Sequence, residues 1–223
     1  MIRDDVTAMD QSTYLTDRWN TLLPGAAALG VELLDRYQQA SRRYHDTRHL
    51  FEVVGHLDEL MSSAGDPQAV ELAGWFHDAV YDPARTDNED ASARFAEDAL
   101  PAYEVEQTTV AQVARLVRLT ALHDPAPDDG DGAVLCDADL AILAAELVRY
   151  AEYVHDVRAE YHRVSDQMFR ERRAAILRGL LRRPTVFHTA EAVRRWEKRA
   201  RRNVEGELKG LEPDARDPGQ VPT

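Results

Sequence analysis

Apolar residues recur along this chain at intervals of three and four, and almost nowhere in strict alternation. Between Arg48 and Ala64 they fall at Leu50, Val53, Val54, Leu57, Leu60 and Met61, one stripe of a 3.6-residue helix. The same spacing, cut by proline, glycine and capping residues, predicts helices over Ser12–Leu23, Pro24–Ala40, Arg48–Ala64, Asn88–Leu100 and Val105–His123. It continues through Ala133–Ala145, Glu146–His162, Ser165–Arg183 and Thr189–Leu208. Pro24 is expected near the first turn of its helix, Asn88 and Thr189 as N-terminal caps, and Pro184 as a stop. Pro67–Tyr81 is apolar on nearly every side and reads as a buried helix. Asp124–Gly132 (DPAPDDGDG) is too rich in Pro, Asp and Gly to be regular. There is no internal repeat and no βαβ alternation. The expected fold class is all-α, with about nine or ten helices.

Composition narrows the class. A chain of 223 residues buries roughly 70% of its unfolded surface and can hold a core without staples. The expected organisation is one domain over residues 1–210 and a disordered tail, 211–223, which carries three prolines. The single cysteine, Cys136, excludes a disulfide framework and a multi-cysteine zinc ribbon. No apolar run approaches the roughly 20 residues of a membrane span, and the opening MIRDDVTAMDQ lacks the apolar stretch of a signal peptide. A cytoplasmic protein with no membrane partner is expected.

Net charge is −13, but unevenly spread: residues 163–202 carry a balance of +9 and the rest of the chain −22. That segment could touch phosphate, yet an acidic body disfavours nucleic acid as the main partner. Arginines paired with the acidic body, or solvated, are the plainer reading of the segment. Phe187 and Trp196 within it could stack on bases or belong to the core.

Four of eight histidines precede an aspartate, where about 0.8 would be expected from 23 aspartates in 223 residues. Context sorts them. His155-Asp156 sits among Glu152, Arg158 and Glu160 and reads as a solvated helix. His77-Asp78 follows Leu72, Ala73, Gly74, Trp75 and Phe76. A buried carboxylate there costs several kcal/mol unless paired, and a helix C-terminus disfavours its charge. A divalent cation would answer both problems; an arginine partner is the plainer alternative. Ala73 and Gly74 are small enough to let another element approach closely. His45 and His49 lie four apart on one helical face, a spacing for two ligands or for a ligand and a proton donor. Asp137 and Asp139 interrupt an apolar stretch and again call for a cation, an arginine or a capping role. Imidazole and carboxylate without thiolate suit Mn, Fe, Co, Ni, Zn or Mg.

These places occur in a fixed order that resembles the HD superfamily of metal-dependent phosphohydrolases. The closest resemblance is to bacterial HD-type phosphohydrolases with motifs Y-H-x-x-x-H, H-D-x-x-Y, N-E-x-x-S-A, T-x-x-H and D-x-D-L-x-I-L. In this chain they are Tyr44/His45/His49, His77/Asp78/Tyr81, Asn88/Glu89/Ser92/Ala93, Thr120/His123 and Asp137/Asp139/Leu140/Ile142/Leu143. The resemblance spans residues 44–143 and implies an HD-like helical bundle, with 146–210 as a C-terminal helical extension. It implies metal ligation by His49, His77, Asp78 and one of Asp139 and Asp137, with Asp139 favoured. It leaves His123, Arg48, Arg85, Asn88 and Glu89 as candidates for a second metal or for phosphate.

The first motif is also similar to that of cyclic-nucleotide phosphodiesterases, which implies that His45 is the general acid. Asp46 and Tyr81 depart from that family's pattern, and Tyr81, where that family continues with further histidines, argues against cyclic-nucleotide specificity. The missing glutamate three residues after Asp78 argues in the same way against deoxynucleoside monophosphatase activity. The implied reaction is hydrolysis of a phosphomonoester or phosphodiester of a small, nucleotide-like molecule, with Asp78 orienting or deprotonating water. The implied cofactor is a divalent ion, the partner a small phosphorylated substrate, and a homo-oligomer is allowed. The alternative is a non-catalytic nucleotide- or RNA-binding module that uses a degenerate site or the basic C-terminal helices.

Overall fold

The computed structural model describes residues 8–211, and these form ten α-helices with no strand among them. In chain order they are α1 (Ala8–Leu22), α2 (Ala27–Tyr37), α3 (Thr47–Leu60), α4 (Pro67–Phe76) and α5 (Asn88–Ala99). Then follow α6 (Gln107–Leu119), α7 (Gly130–Leu140), α8 (Leu147–Glu160), α9 (Asp166–Arg182) and α10 (Ala190–Leu211). Short 3₁₀ turns continue α3, α5 and α7. No helix among the described residues is long and apolar enough to cross a membrane. Apart from Leu211, which ends α10, the expected tail lies outside the described residues.

The apolar stripes do what their spacing requires. Leu50, Val53, Val54, Leu57 and Leu60 of α3 are buried against α4 and α7, and α4 packs in turn on α6 and α7. Helices α1 and α2 cover α3, α5 lies on α6, and α10 packs on α9 and on the turn Ala141–Ala144. Buried side chains from Leu15 to Val204 form one contiguous cluster. At the α1–α2 contact, Gly30 faces the indole of Trp19, where a Cβ would come within 2.2 Å of the ring.

Of the departures from the sequence expectation, four have a clear local reason. Pro24 is outside α2, because Pro24-Gly25 makes a turn with Gly25 at φ +87°, and the helix begins at Ala27. The helix expected to reach Tyr81 stops at Phe76. Asn88 is not a cap: its side chain accepts from the Asp82 N–H and donates to the Asp82 carbonyl, both at 3.0 Å, pinning the preceding loop. The loop expected through Gly132 becomes helical at Gly130, since the Asp129 carboxylate caps Gly132. Thr189 does cap α10, accepting from Ala192 at 3.1 Å.

Candidate metal centre

Three helix ends deliver the site. Asp46 caps α3 by accepting from the N–H groups of Arg48 (2.9 Å) and His49 (3.3 Å), which sets His49 in the first turn. His77 and Asp78 follow the last residue of α4, and Asp139 sits in the final turn of α7. Gly74 lets α3 and α4 approach: a Cβ there would lie 2.7 Å from Leu57 Cδ1. The result is that the Nε2 atoms of His49 and His77 stand 3.0 Å apart, both rings buried.

Two carboxylates converge on that nitrogen pair. Asp139 Oδ1 is 3.2 Å from His49 Nε2 and 3.6 Å from His77 Nε2. Asp78 Oδ2 is 3.5 Å and 3.2 Å from the same two atoms. His77 Nδ1 lies 2.8 Å from the Gly74 carbonyl, which can only accept, so Nδ1 carries a proton. In the neutral ring the Nε2 lone pair therefore faces carboxylate oxygens, an arrangement that needs a proton or a cation between them. First-row divalent ions hold N and O ligands at about 2.0–2.2 Å, which places neighbouring ligand atoms roughly 3.0–3.6 Å apart. The observed separations match. His49, His77 and Asp139 could hold a metal ion, their ligand atoms lying within 4.8 Å of one another. Asp78 lies on the same nitrogen pair.

The electrostatics agree. Burial, the largest influence, pushes the Asp78 and Asp139 carboxyls upward, but the facing imidazoles, His77 foremost, hold both well below the ordinary carboxylate range. Burial alone would depress His49, and the Asp139 and Asp78 carboxylates overcome it, raising the imidazole to about 10. Two anions, Asp78 buried and Asp139 partly so, thus attract positive charge into a small volume.

His123 holds the other oxygen of Asp139, Nε2 to Oδ2 at 2.7 Å. It does so from the left-handed region, φ +48°, where a non-glycine residue is strained. Its carbonyl is fixed by Arg183 Nη1 at 2.8 Å and faces His188 Nε2 at 3.2 Å.

His45 stands beside the cluster, its ring 5.6 Å from that of His49. Its Nδ1 is 2.7 Å from Glu160 Oε2, and it stacks on Tyr81 at 4.1 Å. Glu160 is wholly buried and accepts five bonds. The backbone N–H groups of Arg43, Tyr44 and His45 donate to Oε1 (2.8, 2.9 and 3.0 Å), and Tyr81 Oη joins His45 on Oε2 (2.9 Å). Burial works against this carboxylate, yet His45 and the backbone donors pull it down to about 2. The sequence reading missed Glu160. The buried row Tyr150, Tyr153, Val157, Glu160 on α8 is the signal that could have found it, because its last member points into the core like the others. Arg42, also buried, staples the two site loops by donating to the carbonyls of His45, Asp78 and Ala79.

The remaining candidates separate. Asp137 is not with the cluster. Two residues from Asp139 it faces the other way, accepting from the N–H groups of His188 (2.8 Å) and Thr189 (2.7 Å) ahead of α10. Arg48 pairs with Glu152 and Glu52 on the surface, away from the cluster's ligand atoms. Arg85 pairs with Asp87 at the rim of a cleft that Glu89 also lines. Asn88 and Ser92 bind the backbone of the Val80–Asp82 loop instead of a ligand. In the basic segment, Phe187 and Trp196 pack edge to face in the core, closed to any base. Arg195, Arg199 and Arg201 meet Glu59, Glu146 and Glu197.

The cleft encloses about 730 Å³ with His45, Tyr44 and His123 in its lining. Its lining comes from the loops Pro83–Thr86 and Thr120–His123, from the end of α7 and the turn after it, and from α8 and α9. No family model, curated protein or solved structure matches the chain. What can be said of function therefore rests on the site itself.

Proposed function

We propose that this protein is a metal-dependent phosphohydrolase of the HD type, acting on a small organic phosphate ester. The observation that carries the reading is one juxtaposition: two buried imidazoles and two carboxylates, one buried and one partly buried, converge beside an imidazole held by a buried glutamate at the edge of a cleft. His49, His77, Asp139 and Asp78 would hold the ion. A bound divalent ion supplies Lewis-acid polarisation of a phosphoryl oxygen and a lowered water pKa.

The protein's own groups do the rest. Asp78 and Asp139 accept hydrogen bonds from water and set its approach to phosphorus. His123 and Arg183 fix the far oxygen of Asp139 and the backbone behind it, so that carboxylate keeps its orientation. As the new O–P bond forms, the attacking water passes a proton to the Asp78 carboxylate and the P–O bond to the leaving group breaks. His45, its Nδ1–H held by Glu160, gives the Nε2 proton to the departing oxygen, and alcohol and phosphate leave. Glu160 acts through His45 and is a positioning residue.

The test is hydrolysis of a chromogenic monoester and a chromogenic diester with Mn, Mg, Ni, Co or Zn added, with His77→Ala as control. Metal-dependent turnover that disappears in His77→Ala is expected. An Asp78→Ala protein with wild-type metal content would remove Asp78 from the ligand set. Absence of turnover in folded, metal-loaded protein would end the hydrolase reading.

A further inference from the structure

The cleft beside the cluster is lined unlike a site for sugars or bases. Among the described residues that line it there is no Asn, Gln, Ser or Asp. The amides among those side chains are the ones that offer a donor and an acceptor together, as base edges require. Thr120 is present, but its hydroxyl is spent on the Val117 carbonyl. The Tyr153 hydroxyl is bound to Arg173. Thr86, the Tyr44 and Tyr161 hydroxyls and Glu89 are the other hydrogen-bonding groups besides the histidines and arginines, and about half of the lining side chains are apolar. Helix α9 contributes one stripe at helical spacing, Phe169, Ile176, Leu177 and Leu180, and α8 adds Val157. Ile176 is 58% exposed, a large apolar side chain left uncovered where the chain could have placed any polar residue.

The charge of the lining runs against the charge of the chain. Four arginines and one glutamate face the cleft, in a protein of net charge −13. Arg85 and Arg173 are neutralised by Asp87 and Glu207. Arg183 donates only to backbone carbonyls, and Arg172 has no carboxylate partner among the described residues. Two uncompensated cations on an apolar wall select an anion with an apolar body.

We infer that the cleft binds phosphate esters of a bulky apolar group, aromatic or aliphatic, in preference to sugar phosphates and nucleotides. The inference rests on the hydrolase reading only for which bond is cut; the ligand class follows from the lining. About 730 Å³ falls in the range of pockets for drug-sized ligands, roughly 300–1,000 Å³. Inorganic phosphate would leave most of it unfilled.

The test separates binding from turnover by using phosphonates, whose C–P bond resists hydrolysis. Calorimetry compares naphthylmethylphosphonate, 2-hydroxyethylphosphonate and the methylene phosphonate analogue of adenosine monophosphate, each with Mn added. The naphthyl compound should bind at least about tenfold more tightly than either, which needs only roughly 60 Å² of apolar surface buried at about 25 cal/mol/Å². Ile176→Glu, a change at an exposed position, should erase that preference. Equal binding of the three, tighter binding of the nucleotide analogue, no binding at all, or a preference that survives Ile176→Glu would each overturn the inference. Turnover of 1-naphthyl phosphate is measured alongside. Selective binding without turnover defeats the hydrolase reading alone, and turnover without selectivity defeats the ligand class alone.

Discussion

Replacing Glu160 by glutamine keeps the shape of the side chain and removes one charge, at a point where five donors meet one carboxylate. The glutamine oxygen can still accept from the Arg43, Tyr44 and His45 N–H groups, but its NH₂ must then face His45 Nδ1 and the Tyr81 hydroxyl. The carboxyl of the native protein titrates at about 2 against an ordinary 4.5, so folding favours the ionised form. A depressed folded-state value means that the stabilisation is complete above the unfolded value and is lost as pH falls toward the folded one. At 1.36 kcal/mol per unit it amounts to roughly 3 kcal/mol at pH 7 and roughly 1.4 kcal/mol at pH 3. Urea unfolding followed by tryptophan fluorescence reads this directly, since Trp19 and Trp75 are buried. Glu160→Gln should unfold more easily than the native protein by about 2–3 kcal/mol at pH 7, and the deficit should shrink by about 2 kcal/mol at pH 3. A deficit identical at the two pH values would show that the ionised carboxylate does not hold the loop. On the catalytic side, the variant should hydrolyse alkyl esters about 10²-fold more slowly while leaving nitrophenyl esters, which need little protonation, nearly untouched. Equal slowing of both would refute the role given to His45.

The two aspartates of α7 should behave differently. Asp139→Ala should abolish metal binding by metal analysis, whereas Asp137→Ala should keep the metal and lose about 2 kcal/mol of stability from two uncapped N–H groups. Gly30→Ala should cost about 1–3 kcal/mol in urea unfolding, because the Trp19 ring occupies the space of the new methyl.

The all-helical architecture was legible because helical stripes such as that of α3 are long and their caps are written in the sequence. The convergence of His49, His77 and Asp139 was foreshadowed by local signals: polar residues in apolar surroundings beside small ones. Asp137 was not separable from Asp139 by the residues themselves, only by the resemblance that favours Asp139, since two carboxylates one residue apart look alike until the helix places them some 200° around its axis. Nor was Glu160. Its bonds to Arg43–His45 span more than a hundred residues, and its neighbours His155 and Glu152 are exposed as their charge suggests, which hid the buried row on the opposite face of α8.

Because Asp137 and Asp139 share the last turns of α7, that helix is a common beam with a load on each side. One load is the ion site and the other is the first turn of α10, whose arginines lie against the acidic surface. The basic segment is thereby anchored, through two backbone hydrogen bonds, to the helix that presents Asp139, and amide exchange at His188 and Thr189 should slow when a divalent ion is added.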